Sequence, residues 1–137
     1  MKAVKLKTEY LKNPLGIDIK NPRFMWNCEG GKAQSAYRII ASDTRGNILW
    51  DSGKVESSQM SFIPYPLDTP SRLRVNWKVK LWDENGLEGE WSEPAFFEIG
   101  LRNASDWSAK WITGNYNVNR KQRYPVDCFK KEFECKK

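Results

Sequence analysis

The sequence predicts an all-β domain, a seven-stranded antiparallel β-sandwich over residues 1–100. Three observations carry this. Apolar and polar residues alternate with period two, and no window holds a helical stripe. Turn signals recur at roughly 8–12-residue spacing, the rhythm of a sandwich. Aromatic residues make up 13 % of the chain and tryptophan alone numbers 7, too many for a disordered chain of this charge.

The elements follow in order. An opening strand around residues 4–11 precedes the turn Asn13-Pro14-Leu15-Gly16. "RFMWNC" sets Phe24, Trp26 and Cys28 on one face, which makes Cys28 a buried small hydrophobe. "SAYRIIASD" sets Tyr37, Ile39 and Ala41 inward, and Thr44-Arg45-Gly46-Asn47 turns the chain into the short strand "NILWDS". "SSQMSFIPY" offers Met60 and Phe62 before two prolines close it. The clearest strand is "LRVNWKVKLW": Leu73, Val75, Trp77, Val79 and Leu81 face a core, while Arg74, Asn76, Lys78 and Lys80 face water. Asn85-Gly86 marks a tight turn, and "PAFFEIG" returns with Ala95, Phe97 and Ile99 inward. Residues 101–118 show no sustained period and read as a connector. Residues 119–137 then open a further strand-like alternation, with Phe129, Phe133 and Cys135 apolar. A strand needs partners, so this segment reads as the start of a second domain.

Charge excludes one class of function. The net charge is +6, but residues 119–137 hold seven basic and three acidic groups, leaving 16 basic and 14 acidic elsewhere. The sandwich is nearly neutral, without the basic, aromatic-laced stripe of a nucleic-acid surface. No run of about 18 apolar residues exists to span a membrane. The basic N-terminus lacks the apolar core and cleavage site of a signal peptide, which leads to a cytoplasmic expectation. Three cysteines without CxxC spacing argue against a disulfide framework or a zinc knuckle. Histidine is absent, which removes the commonest general base and metal ligand. With no phosphate loop, metal cluster or nucleophile elbow, the chain is expected to be non-catalytic and to need no cofactor.

Two groups of residues remain as candidate sites. Trp50-Asp51-Ser52-Gly53 has two readings: a sugar-stacking Trp beside a catalytic acid, or the end of a strand. Glycosidases usually flank the scissile bond with two carboxylates, and only one is present, which favours the strand end. Among the tryptophans, Trp26 and Trp77 belong to the core. Trp82 and Trp91 flank the Asn85-Gly86 hairpin on or near its polar side and are candidate sugar contacts. Trp107, Trp111 and Ile112 lie in the connector and are candidate contacts with following domains of the same polypeptide.

Together, "LKTEYLKNPLGIDIKNPRFMW", "QSAYRIIASD", "LWDSGKV", "VNWKVKLWDENGLEGEWSEPAFFEIGL" and "SDWSAKWI" resemble the N-terminal region of bacterial α-L-rhamnosidases, inverting glycoside hydrolases of family 78. The resemblance runs over about residues 5–112. It implies a fibronectin-III-like, immunoglobulin-like first module, an accessory to an enzyme that removes terminal α-L-rhamnose from glycosides or polysaccharides. "YPVDCFKKEFECKK" resembles the first strand of the jelly-roll module that follows in that family. The family's catalytic barrel lies further downstream, so no catalytic residue carries over. The alternative is a carbohydrate-binding sandwich that uses exposed Trp residues.

Overall fold

The computed structural model describes residues 1–112, 114, 117, 119, 121–124 and 126–134. The chain divides into two compact units, Met1–Trp107 and Ser108–Lys137. The first is built of eight strands in two antiparallel sheets: β1 (Lys2–Thr8), β2 (Arg23–Glu29), β3 (Gln34–Ser42), β4 (Ile48–Asp51), β5 (Ile63–Pro64), β6 (Arg74–Asp83), β7 (Glu88–Trp91) and β8 (Ala95–Glu98). Sheet order is β1-β2-β5 in one layer and β4-β3-β6-β7 in the other, with β8 also on β6. β7 pairs with Lys80 and Trp82, and β8 pairs with residues 74–77. The two therefore lie end to end along one edge of β6. They fill a single strand position, broken at residues 92–94 where Pro94 cannot donate to a ladder. Seven strand positions thus carry eight segments.

Period-two patterning explains the core. Val75, Val79 and Leu81 are fully buried in β6 and Trp77 nearly so, while Arg74, Asn76, Lys78 and Lys80 stay partly exposed on the other face. Phe24 is the hub: its ring lies 4.3 Å from Trp77, 6.1 Å from Tyr65 and 6.1 Å from Phe97. Trp26 meets Tyr37 edge-on at 5.4 Å, and its indole N–H donates to the buried Gln34 Oε1 at 3.0 Å. Each such aromatic removes about 150–250 Å² from water, roughly 4–6 kcal/mol of gross burial at about 25 cal/mol per Å². Exposed ion pairs contribute about 0–1 kcal/mol each, so aromatic packing decides the fold.

Several local expectations differ from the structure. β1 ends at Thr8 rather than running to residue 11. A bulge shifts its register between Val4 and Lys7, and a two-residue turn at Glu9 and Tyr10 brings Leu11 back opposite Thr8. The "SSQMSFIPY" strand shrinks to Ile63–Pro64, leaving Met60 and Phe62 exposed. Cys28 is half-buried, not buried, with its thiol 3.6 Å from Gln34 Oε1. Trp82 is buried although it follows the inward Leu81, because the β3–β6 register slips between Gln34 and Ala36 opposite it.

In the second unit, none of the described residues belongs to a strand. Val126, Phe129 and Phe133 are exposed. Cys135, assigned from sequence to the same apolar face, lies outside the described residues.

Candidate functional site

Residues 50–53 end β4 as part of the scaffold. Trp50 stacks on Phe24 with 14° between ring planes and meets Tyr65 edge-on at 6.2 Å. Arg38, on the outer face of β3, holds Asp51 through two bonds of 3.0 and 2.6 Å, and the Gly53 N–H adds a third at 2.9 Å. The Arg38 guanidinium is the main reason the Asp51 carboxyl titrates below the ordinary aspartate value. A carboxylate held ionised and already saturated with donors is poorly suited to general-acid work. The Ser52 hydroxyl accepts from the Ile39 N–H at 2.8 Å and donates to the Gly53 carbonyl at 2.7 Å. Gly53 takes φ 61°, a conformation a side chain would strain.

The same device recurs at the β6–β7 edge. There the Ser92 hydroxyl accepts from the Val79 N–H at 3.1 Å and donates to the Glu93 carbonyl at 2.9 Å. Both serines replace ladder bonds where an edge strand stops, which is a structural task.

Neither candidate sugar-stacking tryptophan offers an open ring pair. Trp82 is 8 % exposed, and the Lys54 ammonium sits 5.2 Å from its ring centre. Trp91 is half-buried, with the Lys78 and Lys80 ammonium groups 4.7 and 4.9 Å away. These cation–π contacts give each ring a charged partner within the module.

Trp107 closes the first unit and is 64 % exposed. The 3₁₀ turn before it, Ala104–Asp106, is tied down by the Asp106 carboxylate, which accepts from the Ser71 hydroxyl and from the Asn103 N–H at 2.9 Å. These donors, Ser71 foremost, hold the Asp106 carboxyl below its ordinary value. Arg102 reinforces the turn: its N–H donates to Ser71 Oγ at 2.9 Å, and its guanidinium reaches the Asp18 carbonyl at 3.0 Å. Trp111 and Ile112, in the second unit, are fully and largely exposed. Among the described residues no group of three His, Cys, Asp or Glu side chains is placed to hold a metal ion, and no helix is long and apolar enough to cross a membrane.

One cluster escaped the sequence reading. Tyr10 and Phe62 stand 57 % and 46 % exposed, with their rings edge-to-face at 5.9 Å. The Arg23 guanidinium lies 5.1 Å from the Phe62 centroid and 6.0 Å from that of Tyr10. Buried Glu9 fixes Arg23 through side-chain bonds of 2.7 and 3.0 Å and accepts the Arg23 main-chain N–H at 2.7 Å. The Arg23 hydrogen bond outweighs burial and holds the Glu9 carboxyl below its ordinary value. The signal was weak because three of these residues sit at positive φ (Glu9 49°, Tyr10 66°, Phe62 60°), a state that no sequence rule assigns to Glu, Tyr or Phe.

Two facing antiparallel sheets around an aromatic core, with side chains capping the strand ends, define an immunoglobulin-like module. The chain belongs to the family described as the Rha78A-like N-terminal immunoglobulin domain, whose model matches residues 3–103. It is 44 % identical over 115 residues to an α-L-rhamnosidase of Streptomyces avermitilis, covering 77 % of this chain but 11 % of that protein. An α-L-rhamnosidase of Formosa agariphila is 41 % identical over 112 residues, covering 74 % and 12 %. Among solved structures, the Streptomyces avermitilis α-L-rhamnosidase complexed with L-rhamnose superimposes with a TM-score of 0.73 at 38 % identity, covering 82 % of this chain and 12 % of that one. The α-L-rhamnosidase from Dictyoglumus thermophilum gives 0.72 at 38 % identity, covering 81 % and 14 %. This chain therefore spans about one-eighth of the length of the relatives it matches.

Proposed function

We propose that this chain is a non-catalytic accessory module of an α-L-rhamnosidase, one that positions and stabilises the domains following it in the same polypeptide. One observation carries the reading: the family match covers the sandwich from residue 3 to 103, yet the chain spans only 11 % and 12 % of its rhamnosidase relatives. The site geometry supports it, since Asp51 is consumed by Arg38 and Gly53, Trp82 is buried, and half-buried Trp91 is flanked by two lysines. In this reading residues 119–137 open the next domain, and the exposed Trp107, Trp111 and Ile112 serve contacts with later domains.

Assay of an aryl α-L-rhamnoside tests this directly. The 137-residue chain should show no turnover above a denatured control, while a longer polypeptide carrying it as its N-terminal module should hydrolyse the substrate. Turnover by the short chain, or an inactive longer polypeptide, would overturn the assignment.

A further inference from the structure

We propose that the exposed Tyr10–Phe62–Arg23 cluster is a docking surface for a domain of the same polypeptide beyond residue 137. The inference rests on the accessory-module reading and adds where the module is gripped.

Thr8 and Leu11 exchange two hydrogen bonds of 3.0 Å across Glu9 and Tyr10, both in the left-handed region, which makes a type I′ hairpin turn. That turn prefers Asn-Gly, and two ordinary L-residues there are strained. Phe62 adds a third strained position. Strain of this kind persists where surrounding structure over-determines it, and it concentrates at binding sites. Glu9 has an internal use, because it clamps Arg23. The Tyr10 ring has none in the core, yet the turn holds it outward.

Both rings and the guanidinium are already mutually fixed, so a partner would not have to order them again. Tyr and Arg lead the residues that dominate protein interfaces, and Phe is enriched there as well. The chemistry also selects the partner class. Glu9 neutralises Arg23, which leaves the patch without the net positive charge a phosphate or polyanion needs. The rings stand 73° apart, so they share no plane on which a sugar could stack. A protein surface fits both facts.

Thr69 donates to the Lys20 carbonyl at 2.7 Å and Arg102 to the Asp18 carbonyl at 3.0 Å, so the 18–20 segment lies against the turn from which the sandwich's chain leaves. Lys20 and Arg23 are three residues apart, at most about 11 Å of extended chain. The cluster thus sits close to the exit end of the sandwich. In the relatives most of the polypeptide lies outside this module, which covers 11 % and 12 % of them.

Hydroxyl-radical footprinting read by mass spectrometry tests the proposal on the 137-residue chain and on the longer polypeptide. Oxidation of Tyr10 and Phe62 should fall about fivefold in the longer polypeptide, as exposures of 57 % and 46 % drop to those of an interface core. The Tyr10→Gly variant should leave the melting temperature of the short chain undiminished, while the module is released from the longer polypeptide by protease about tenfold faster. Equal oxidation in both proteins would overturn the proposal, as would a lowered melting temperature for Tyr10→Gly with unchanged release. Protection that appears in the short chain only as it dimerises, or only on adding a rhamnose polysaccharide, would overturn it in favour of a second copy or a sugar. Rhamnoside turnover by the longer polypeptide is scored separately, so this inference can fail while the module assignment stands.

Discussion

Three hairpin turns in this sandwich follow opposite logics. In the β3–β4 turn, Asp43 Oδ1 accepts from the N–H groups of Arg45 and Asn47 at 2.8 and 2.9 Å, and Gly46 takes φ 89°. The β6–β7 turn repeats it: Asp83 Oδ1 accepts from Asn85 and Leu87, each at 2.9 Å, and Gly86 takes φ 75°. Both are locally ideal, with an acceptor at the start and a glycine where positive φ is required. The turn at Glu9 and Tyr10 imposes that same region of φ on residues that resist it. Turns that obey local rules serve the fold. The one that violates them carries a clamped arginine and an exposed aromatic pair.

The core sets the scale for this contrast. Trp26→Ala removes a buried ring and takes the indole donor from Gln34 Oε1, so it should cost about 3–5 kcal/mol, more than any turn substitution. Domains hold only about 5–15 kcal/mol, so the module should become marginal. A melting curve unchanged by Trp26→Ala would show that the turns, not the aromatic core, dominate.

Gly46→Val and Gly86→Val come next, at about 1–2 kcal/mol each. No atom lies within 4 Å of a Cβ built at either glycine, so no clash at Cβ adds to the backbone cost. Denaturant midpoints should fall equally for the two variants. A twofold disparity would break the equivalence of the two turns. Tyr10→Gly carries the opposite sign, because relieving the left-handed tyrosine should raise stability by up to about 1 kcal/mol.

Much of this was legible in the sequence, for identifiable reasons. Wherever one face is buried and the other wet, period two assigns the inward residues, and Tyr37, Ile39, Val75, Trp77, Val79 and Phe97 are all buried. Gly53 and its neighbours read as a strand end because Asp, Ser and Gly each have a known turn role, and the structure places them so. β7 stayed hidden because "EGEW" is short, glycine-broken and exposed at alternate positions. Trp82 was misplaced because a register slip on the partner strand is invisible from its own sequence. The aromatic cluster was missed for the deeper reason that Tyr10, Phe62 and Arg23 are far apart in sequence and meet only through unfavourable backbone.

The smallest effect separates the turns by pH. Hydrogen bonding from Arg23 lowers the Glu9 pKa, and hydrogen bonding led by the Asn47 side chain lowers that of Asp43. A carboxyl whose folded pKa lies below its unfolded value contributes stability that is fully present above the unfolded pKa and is lost as pH falls through the folded one. For Glu9 the unfolded value is the ordinary 4.5. Wild type should therefore be more stable than Glu9→Gln at neutral pH, and the difference should shrink as pH falls below about 4.5. Asp43→Asn should narrow in the same direction, because its acceptors also work best ionised. The two variants part in the footprint. Loss of the Glu9 carboxylate should free Arg23 and raise Tyr10 and Phe62 oxidation in the short chain, whereas Asp43→Asn should leave both unchanged. Equal footprints for the two variants would show that Glu9 is only another turn acceptor and not the clamp that organises the cluster.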